Sequence, residues 1–583
     1  MTLRLIAFFT AASLISGCAG FQSRSAEPQT DNSNASVTPS AVEDYRPIPA
    51  DTLYSLLVAE VAGQRQRYDI SLYHYMTQAR KTRDPEIAER TARIAQYVGS
   101  AELTQEALDI WLQTEPESPA AHQTAAQLAL ETGQYELALQ HMEKVLQLSG
   151  ISQFDYLAAS VVRQPDSVKQ PLLQQLEQLS QRYPQDANLY QARSILEQQL
   201  KRYDPALQHN DRALELNQEF LSARIQRARL LAEMGRDDDA IEWLQTLEQQ
   251  HPDHKGIAIL RARLLLKQRR MQDALLAFNQ LHQNFPRDMA ILLSLALLEE
   301  EVGQSSQAAL HFESLLANGS HQNEAHFYLG QIADEQQDNQ AAIEHFRQVG
   351  AGREFLAAHL RAAELINQQQ GLQAARDYLD QLRAQFPEQT SPLTRIEVEL
   401  LSKADMKQSA MELLNQALGV VPHDHDLLYT RAMLAEQLDD LQQLETDLRY
   451  LISLKPDHAE ALNALGYTLA DRTDRWQEAL PLVEKALSLS PDNPAIIDSL
   501  GWIYFRAGKI EKALPLLKQA FDILADHEIA AHYGEILWIS GDKNQARDVW
   551  ASGLENNPDS DVIHRTMDRL NVDNPPQADS HDK

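Results

Sequence analysis

The stretch LGWIYFRAGKIEKALPLLKQAF, Leu500–Phe521, contains the unit that the chain repeats. Gly501 is followed twelve residues later by Ala513, and Gly508 lies between them. Leu500, Tyr504, Leu514 and Leu517 recur at helical spacing on either side. Two helices joined by a short turn approach closely only where the side chains at their crossing are small. Gly501 and Ala513 therefore mark a crossing, the large apolar residues fill the space around it, and Gly508 interrupts the helix between them. The segment predicts an antiparallel helical hairpin.

The same alanine recurs along the chain. Ala206, Ala240, Ala274, Ala308 and Ala342 are each 34 residues apart. The series extends upstream to Ala138 through Leu172, and projects further back to Thr104 and Ile70. Downstream it runs, with one-residue slips, through Ala375, Ala410, Leu444, Ala479, Ala513 and Ala546. Twelve residues earlier come small partners such as Ala126, Ala228, Ala262, Ala296, Gly330, Ala363, Ala432, Gly501 and Gly534; before Ala479 the match is Gly466, one place further back. Val398 and Leu444 are bulky where small residues are expected, so their hairpins are expected to splay or shift. Twelve residues after the alanine comes proline at 184, 252, 286, 387, 422, 456, 491 and 558. Proline lacks the amide donor and clashes with the preceding turn, so it ends the second helix.

A sustained 34-residue register of helix, turn, helix and proline resembles the tetratricopeptide repeat (TPR). NALGYTLADRTDRWQEALPLVEKALSLSPDN and HYGEILWISGDKNQARDVWASGLENNPDS are its best further copies. The resemblance implies an all-α fold, a right-handed α-solenoid in which about fifteen stacked hairpins form a superhelix over residues 51–570. First helices would line the concave wall. In the last three good copies the residues expected to be exposed there are Asn463, Tyr467, Asp498, Trp502, Phe505, Arg506, Glu535 and Trp538. Aromatic residues interspersed with polar ones suit an interface, and also suit packing between hairpins. Asp498 and Glu535 would repel a partner's C-terminal carboxylate. Arg229, Arg263 and Lys267, followed by Glu300, Glu301, Asp334 and Glu335, suggest a basic-to-acidic gradient along the groove.

The N-terminus carries a separate signal. Arg4 precedes the apolar block LIAFFTAASLI, which is too short to span a bilayer as a helix. It ends in LISGCAG, whose Leu14-Ile15-Ser16-Gly17-Cys18 resembles a bacterial lipobox. That resemblance implies a signal peptide over residues 1–17 and lipid on Cys18. Ala19 after it favours sorting to the outer membrane. Cys18 is the only cysteine, so no intrachain disulfide can form. Residues 18–50 are rich in Ser, Asn, Thr and Pro and are expected to form a flexible tether; residues 571–583 are expected to form a disordered tail.

Composition excludes some functions. The net charge of −31, from 83 acidic and 52 basic residues, argues against a nucleic-acid partner. HEIAAH, His527–His532, spaces its histidines five apart, about 140° around a helix, which cannot grip one metal. PHDHD, Pro422–Asp426, falls at a repeat junction and is expected to be a solvated turn. No GxSxG motif, phosphate-binding loop or cysteine-based metal site occurs, so neither metal, cofactor nor enzyme activity is expected.

Two further runs are similar to a group of proteobacterial outer-membrane TPR lipoproteins. One begins LLYTRAMLAEQLDDLQQLETDLRYLISLKPDHAEALNALGYTLADRTDRWQEAL; the other is TLYSLLVAEVAGQRQRYDISLYHYMTQARKTRDPEIAERTARIA. The group includes the partner of a periplasmic carboxyl-terminal processing protease, an adaptor that presents cell-wall hydrolases for degradation. The resemblance implies a non-catalytic adaptor on the periplasmic face of the outer membrane, with that protease, those hydrolases, or both as partners. The alternative is an assembly scaffold for type IV pilus or exopolysaccharide export machinery. Oligomeric state is left open.

Overall fold

The computed structural model describes residues 48–572, so Cys18, the segment before it, and the chain from residue 573 lie outside it. The described residues form α-helices and one 3-10 turn, with no strand. None of these helices is long and apolar enough to cross a membrane. The chain divides at Gln218/Glu219 into two compact units.

Within each unit the helices pair as antiparallel neighbours. Pro119–Glu131 lies on Tyr135–Ser149, Ala459–Asp471 on Trp476–Leu489, and Pro494–Arg506 on Ile510–Ile523. The crossings are where the small residues recur. Ala206, Ala240, Ala274, Ala308, Ala342, Ala375, Ala410, Ala479, Ala513 and Ala546 are all fully buried. A Cβ on Gly501 would come within 2.7 Å of Leu517, and one on Gly330 within 2.6 Å of the Phe346 ring. The fold is an all-α solenoid of stacked hairpins.

Junctions between hairpins use a recurring device. Proline stops one helix, and two residues later a side chain caps the next. Asp424 after Pro422 accepts from the Leu427 amide at 2.9 Å, and Asn493 after Pro491 accepts from Ala495 at 3.0 Å. Each cap satisfies an amide that would otherwise lack an intrahelical partner. The PHDHD segment is thus a junction, with Asp424 its cap.

The turn inside the hairpin needs a left-handed residue seven places after the first small one. Gly508 supplies it with φ 71°, and Asp439 does the same work at φ 61°. Lys201, Arg269, Gln337 and Asp405 are further non-glycine examples.

Three expectations about the register are revised. In the first pair of helices the small buried residue of the second helix is Ser71, with Ala59 buried twelve residues before it, and Ile70 lies one place off and is only half-buried. Val398 and Leu444 do not open their hairpins: both are buried in one apolar cluster with Ala410, Ala432 and Leu448. The hairpin projected at Leu172 is irregular. Its first helix, Phe154–Ser160, is short and packs on Ala187–Gln199 rather than pairing fully with Asp166–Arg182.

Candidate protein-binding face of the C-terminal repeats

In the second unit the first helices of successive hairpins also touch one another. Ala459–Asp471 contacts Pro494–Arg506, which contacts His527–Ile539. First helices therefore form the tighter, inner side of this stack. A residue one place after the crossing glycine points to that side, which brings Tyr467, Trp502 and Glu535 into one row.

Their environment differs from expectation. Trp502, Asp498 and Glu535 were expected to be exposed, but they are 5%, 5% and 2% exposed. The reason is His532, the last residue of HEIAAH. His532 donates from Nδ1 to Asp498 Oδ2 at 2.8 Å, and its Nε2 lies 3.3 Å from the Tyr467 hydroxyl. Trp502 stacks on the same imidazole, ring centroids 4.1 Å apart, and donates from Nε1 to Asp471 Oδ1 at 2.9 Å. Glu535 takes a two-pronged grip from Arg569, at 2.8 and 2.5 Å. A buried carboxylate needs such partners.

The other candidates surround this cluster. Phe505 is half-buried, 5.1 Å from the Trp502 ring. Arg506 donates to the Asp471 carbonyl at 3.0 Å. Asn463 is half-buried, and no described residue donates to its Oδ1. Trp538 turns to its own hairpin, with the Lys543 ammonium 4.7 Å and the Arg547 guanidinium 5.1 Å from its ring centroid. Tyr467, Asp498, Trp502, Phe505 and Arg506 are therefore brought into one connected group with His532 as its hub, whereas Glu535 pairs with Arg569 and Trp538 turns away. HEIAAH contained the signal, since His532 stands 34 residues after Asp498, one repeat on.

Electrostatics follow from burial. Burial acts to lower the His532 pKa, but the Asp498 charge beside it, with Asp471 and Glu528, outweighs burial and holds it above the ordinary value. Burial pushes the Tyr467 phenol up strongly, and Asp471, Asp498, Glu528 and Glu436 push it further. The suggested gradient farther up the groove is partly neutralised within the chain. Lys267 pairs with Asp237 at 3.0 Å, and Arg361 grips Asp334 at 2.7 and 3.0 Å. Among the described residues no group of three or more His, Cys, Asp or Glu is placed to hold a metal ion.

A row of hairpins with an inner face of aromatic and paired polar groups defines an α-solenoid scaffold for binding proteins. Tetratricopeptide-repeat models match residues 119–150, 196–264, 293–354 and 457–526. The chain carries tetratricopeptide repeats over these four segments. A TPR repeat-containing protein of Pseudomonas aeruginosa is 41% identical over 246 residues. That match covers 42% of this chain and 42% of the relative, so it spans under half of each. Among solved structures, APC/C Cut9–Hcn1 is similar over 89% of this chain and 96% of that one, at 14% identity and a TM-score of 0.32. A thermophilic TPR protein of Thermus thermophilus is similar over 30% and 96%, at 22% identity and a TM-score of 0.28.

Proposed function

We propose that this protein is a non-catalytic adaptor, lipid-anchored through Cys18 to the periplasmic face of the outer membrane. It binds a carboxyl-terminal processing protease and presents cell-wall hydrolases to it. The single observation that carries the binding role is the inner side of the first helices, where half-buried Tyr467 and Phe505 sit against buried Trp502, Asp498 and His532, whose geometry is held by hydrogen bonds and ring stacking before any partner arrives. A rigid face loses less side-chain entropy on binding. Holding protease and substrate on one scaffold raises their effective concentration without any catalytic group in the scaffold itself.

The lipid anchor and the compartment rest on the LISGCAG motif and its single cysteine. Several acyl chains at one residue anchor firmly where a single chain binds only marginally.

Crosslinking in the intact envelope, followed by mass spectrometry, tests the adaptor. A photo-crosslinking side chain at Tyr467 is expected to capture a periplasmic protease or a wall hydrolase. Capture of pilus or export subunits instead would favour an assembly scaffold. Cys18→Ala is expected to release the protein into the soluble periplasmic fraction, and retention in the membrane would remove the anchor.

A further inference from the structure

The first described helix, Ala50–Gln64, is built inside out. Its buried side is Thr52, Ser55, Ala59 and Ala62, spaced three or four apart, and it packs on Tyr68–Thr82. Its other side is large and apolar: Leu53, Tyr54, Leu57 and Val61 are 47%, 69%, 57% and 47% exposed. At about 100° per residue the two sets centre about 165° apart around the helix. A helix that faces water carries the reverse pattern. No other helix among the described residues exposes more than two large apolar side chains.

The place of this helix makes the pattern informative. It belongs to the first described hairpin, and a stack of hairpins whose end meets water finishes in a polar outer face. An apolar stripe left open there marks a surface that something covers. A second copy is a poor cover. From Leu53 to Val61 the stripe runs about 12 Å along one helix, well short of the ~800 Å² that each partner gives to a stable dimer. Two chains of net charge −31 also repel each other.

Two features favour a lipid surface. Thirty residues, 18–47, join Cys18 to this helix, and a chain of that length spans at most ~100 Å when fully extended. A lipid on Cys18 therefore keeps the stripe beside the bilayer at high local concentration, so that a face too small to associate from solution is enough. Charge agrees. Residues 48–98 carry seven basic and six acidic side chains, so this end escapes the repulsion that an anionic leaflet exerts on the rest of the chain. Arg65, just past the helix, is exposed and makes no ion pair among the described residues. Its apolar stem suits the stripe and its guanidinium suits a headgroup phosphate.

We infer that Leu53, Tyr54, Leu57 and Val61 lie in the headgroup–acyl boundary of the bilayer that holds Cys18, so that the first hairpin rests on the membrane. The inference rests on the lipid-anchor reading and adds a second contact to it. Tyr54 sits where its ring meets acyl chains and its hydroxyl meets headgroups.

The test is photo-crosslinking of the full-length protein in the intact envelope, with a benzophenone side chain at Tyr54 and, separately, at the exposed Glu102 of the following hairpin. Mass spectrometry reads the adduct at that position, and also the lipid on the Cys18 peptide. A phospholipid adduct at position 54, about tenfold above that at 102, is expected. Leu53→Ser with Leu57→Ser and Val61→Ser is expected to lower it about tenfold and to leave the Cys18 lipid in place. A protein adduct at 54, whether a second copy or another chain, in place of lipid overturns the inference. Equal lipid capture at 102, or an unchanged adduct in the triple variant, does the same. No lipid at 54 beside an acylated Cys18 removes the second contact and leaves the anchor. A lipid adduct at 54 beside an unmodified Cys18 removes the anchor and leaves the contact. Circular dichroism of the triple variant shows that the fold is retained.

Discussion

His532 and Asp498 are 34 residues apart in sequence and 2.8 Å apart in space. Equivalent surfaces of consecutive hairpins meet at one repeat's distance, so the repeat period itself places the two groups together. Both are buried, and the pair joins one hairpin to the next.

Breaking the pair from one side leaves a charge buried alone. His532→Ala is expected to cost ~3–5 kcal/mol. Urea unfolding followed by tryptophan emission measures it. Adding Asp498→Leu, which removes the stranded carboxylate, is expected to recover part of the loss. A double variant no more stable than His532→Ala alone would mean that the ion pair is not what holds the joint.

The same pair sets a pH dependence. The His532 pKa is raised, because Asp498 outweighs burial. Its contribution to stability is therefore complete below about 6.5, the ordinary histidine value, and is lost as pH rises through the raised value. Melting of the C-terminal repeats is expected to fall with rising pH across that window, and His532→Gln is expected to flatten the curve.

His359 has the opposite sign. It is fully buried, donates from Nε2 to the Val349 carbonyl at 2.9 Å, and accepts from the Tyr378 hydroxyl at Nδ1. Burial pushes it down to about 4. The unfolded chain takes up the proton first as pH falls, so stability drops between about 6.5 and 4 by ~3 kcal/mol. Acid unfolding followed by circular dichroism, with His359→Gln as comparison, measures the loss. An unchanged acid midpoint in the variant would remove His359 as the cause.

The crossings were legible because small side chains are a direct steric requirement, and Ala513 or Gly501 can be read without neighbours. The intrahairpin turn was legible only where glycine fills it. At Asp439 or Arg269 the left-handed residue has an ordinary side chain, and the chain accepts the strain because packed helices on both sides fix the turn. The inner face was legible as a set of positions, but its exposure was not. Register tells which way Trp502 points; whether His532 of the next hairpin covers it depends on how tightly the first helices close up, and that is a property of the stack. Ile70 was misplaced because the first interval is one residue shorter than the repeat.

Gly534 offers the sharpest test of the crossings. A Cβ there would come within 2.2 Å of the Trp550 indole nitrogen. Trp550 is fully buried and lies among Ala530, Ala531, Val549 and Ile563, so it cannot swing aside. Its indole N–H also points to the Ala531 carbonyl, 3.4 Å away. Gly534→Ala is therefore expected to destabilise the last hairpin by ~1–3 kcal/mol, although alanine favours helix more than glycine does. Trp550→Leu alone is expected to cost stability by leaving a cavity. Combined, the two changes should partly cancel, because the added methyl enters space that the indole has vacated. A double-mutant cycle from urea midpoints measures that coupling. Strict additivity would mean that Gly534 and Trp550 do not meet, and that the hairpin crosses elsewhere.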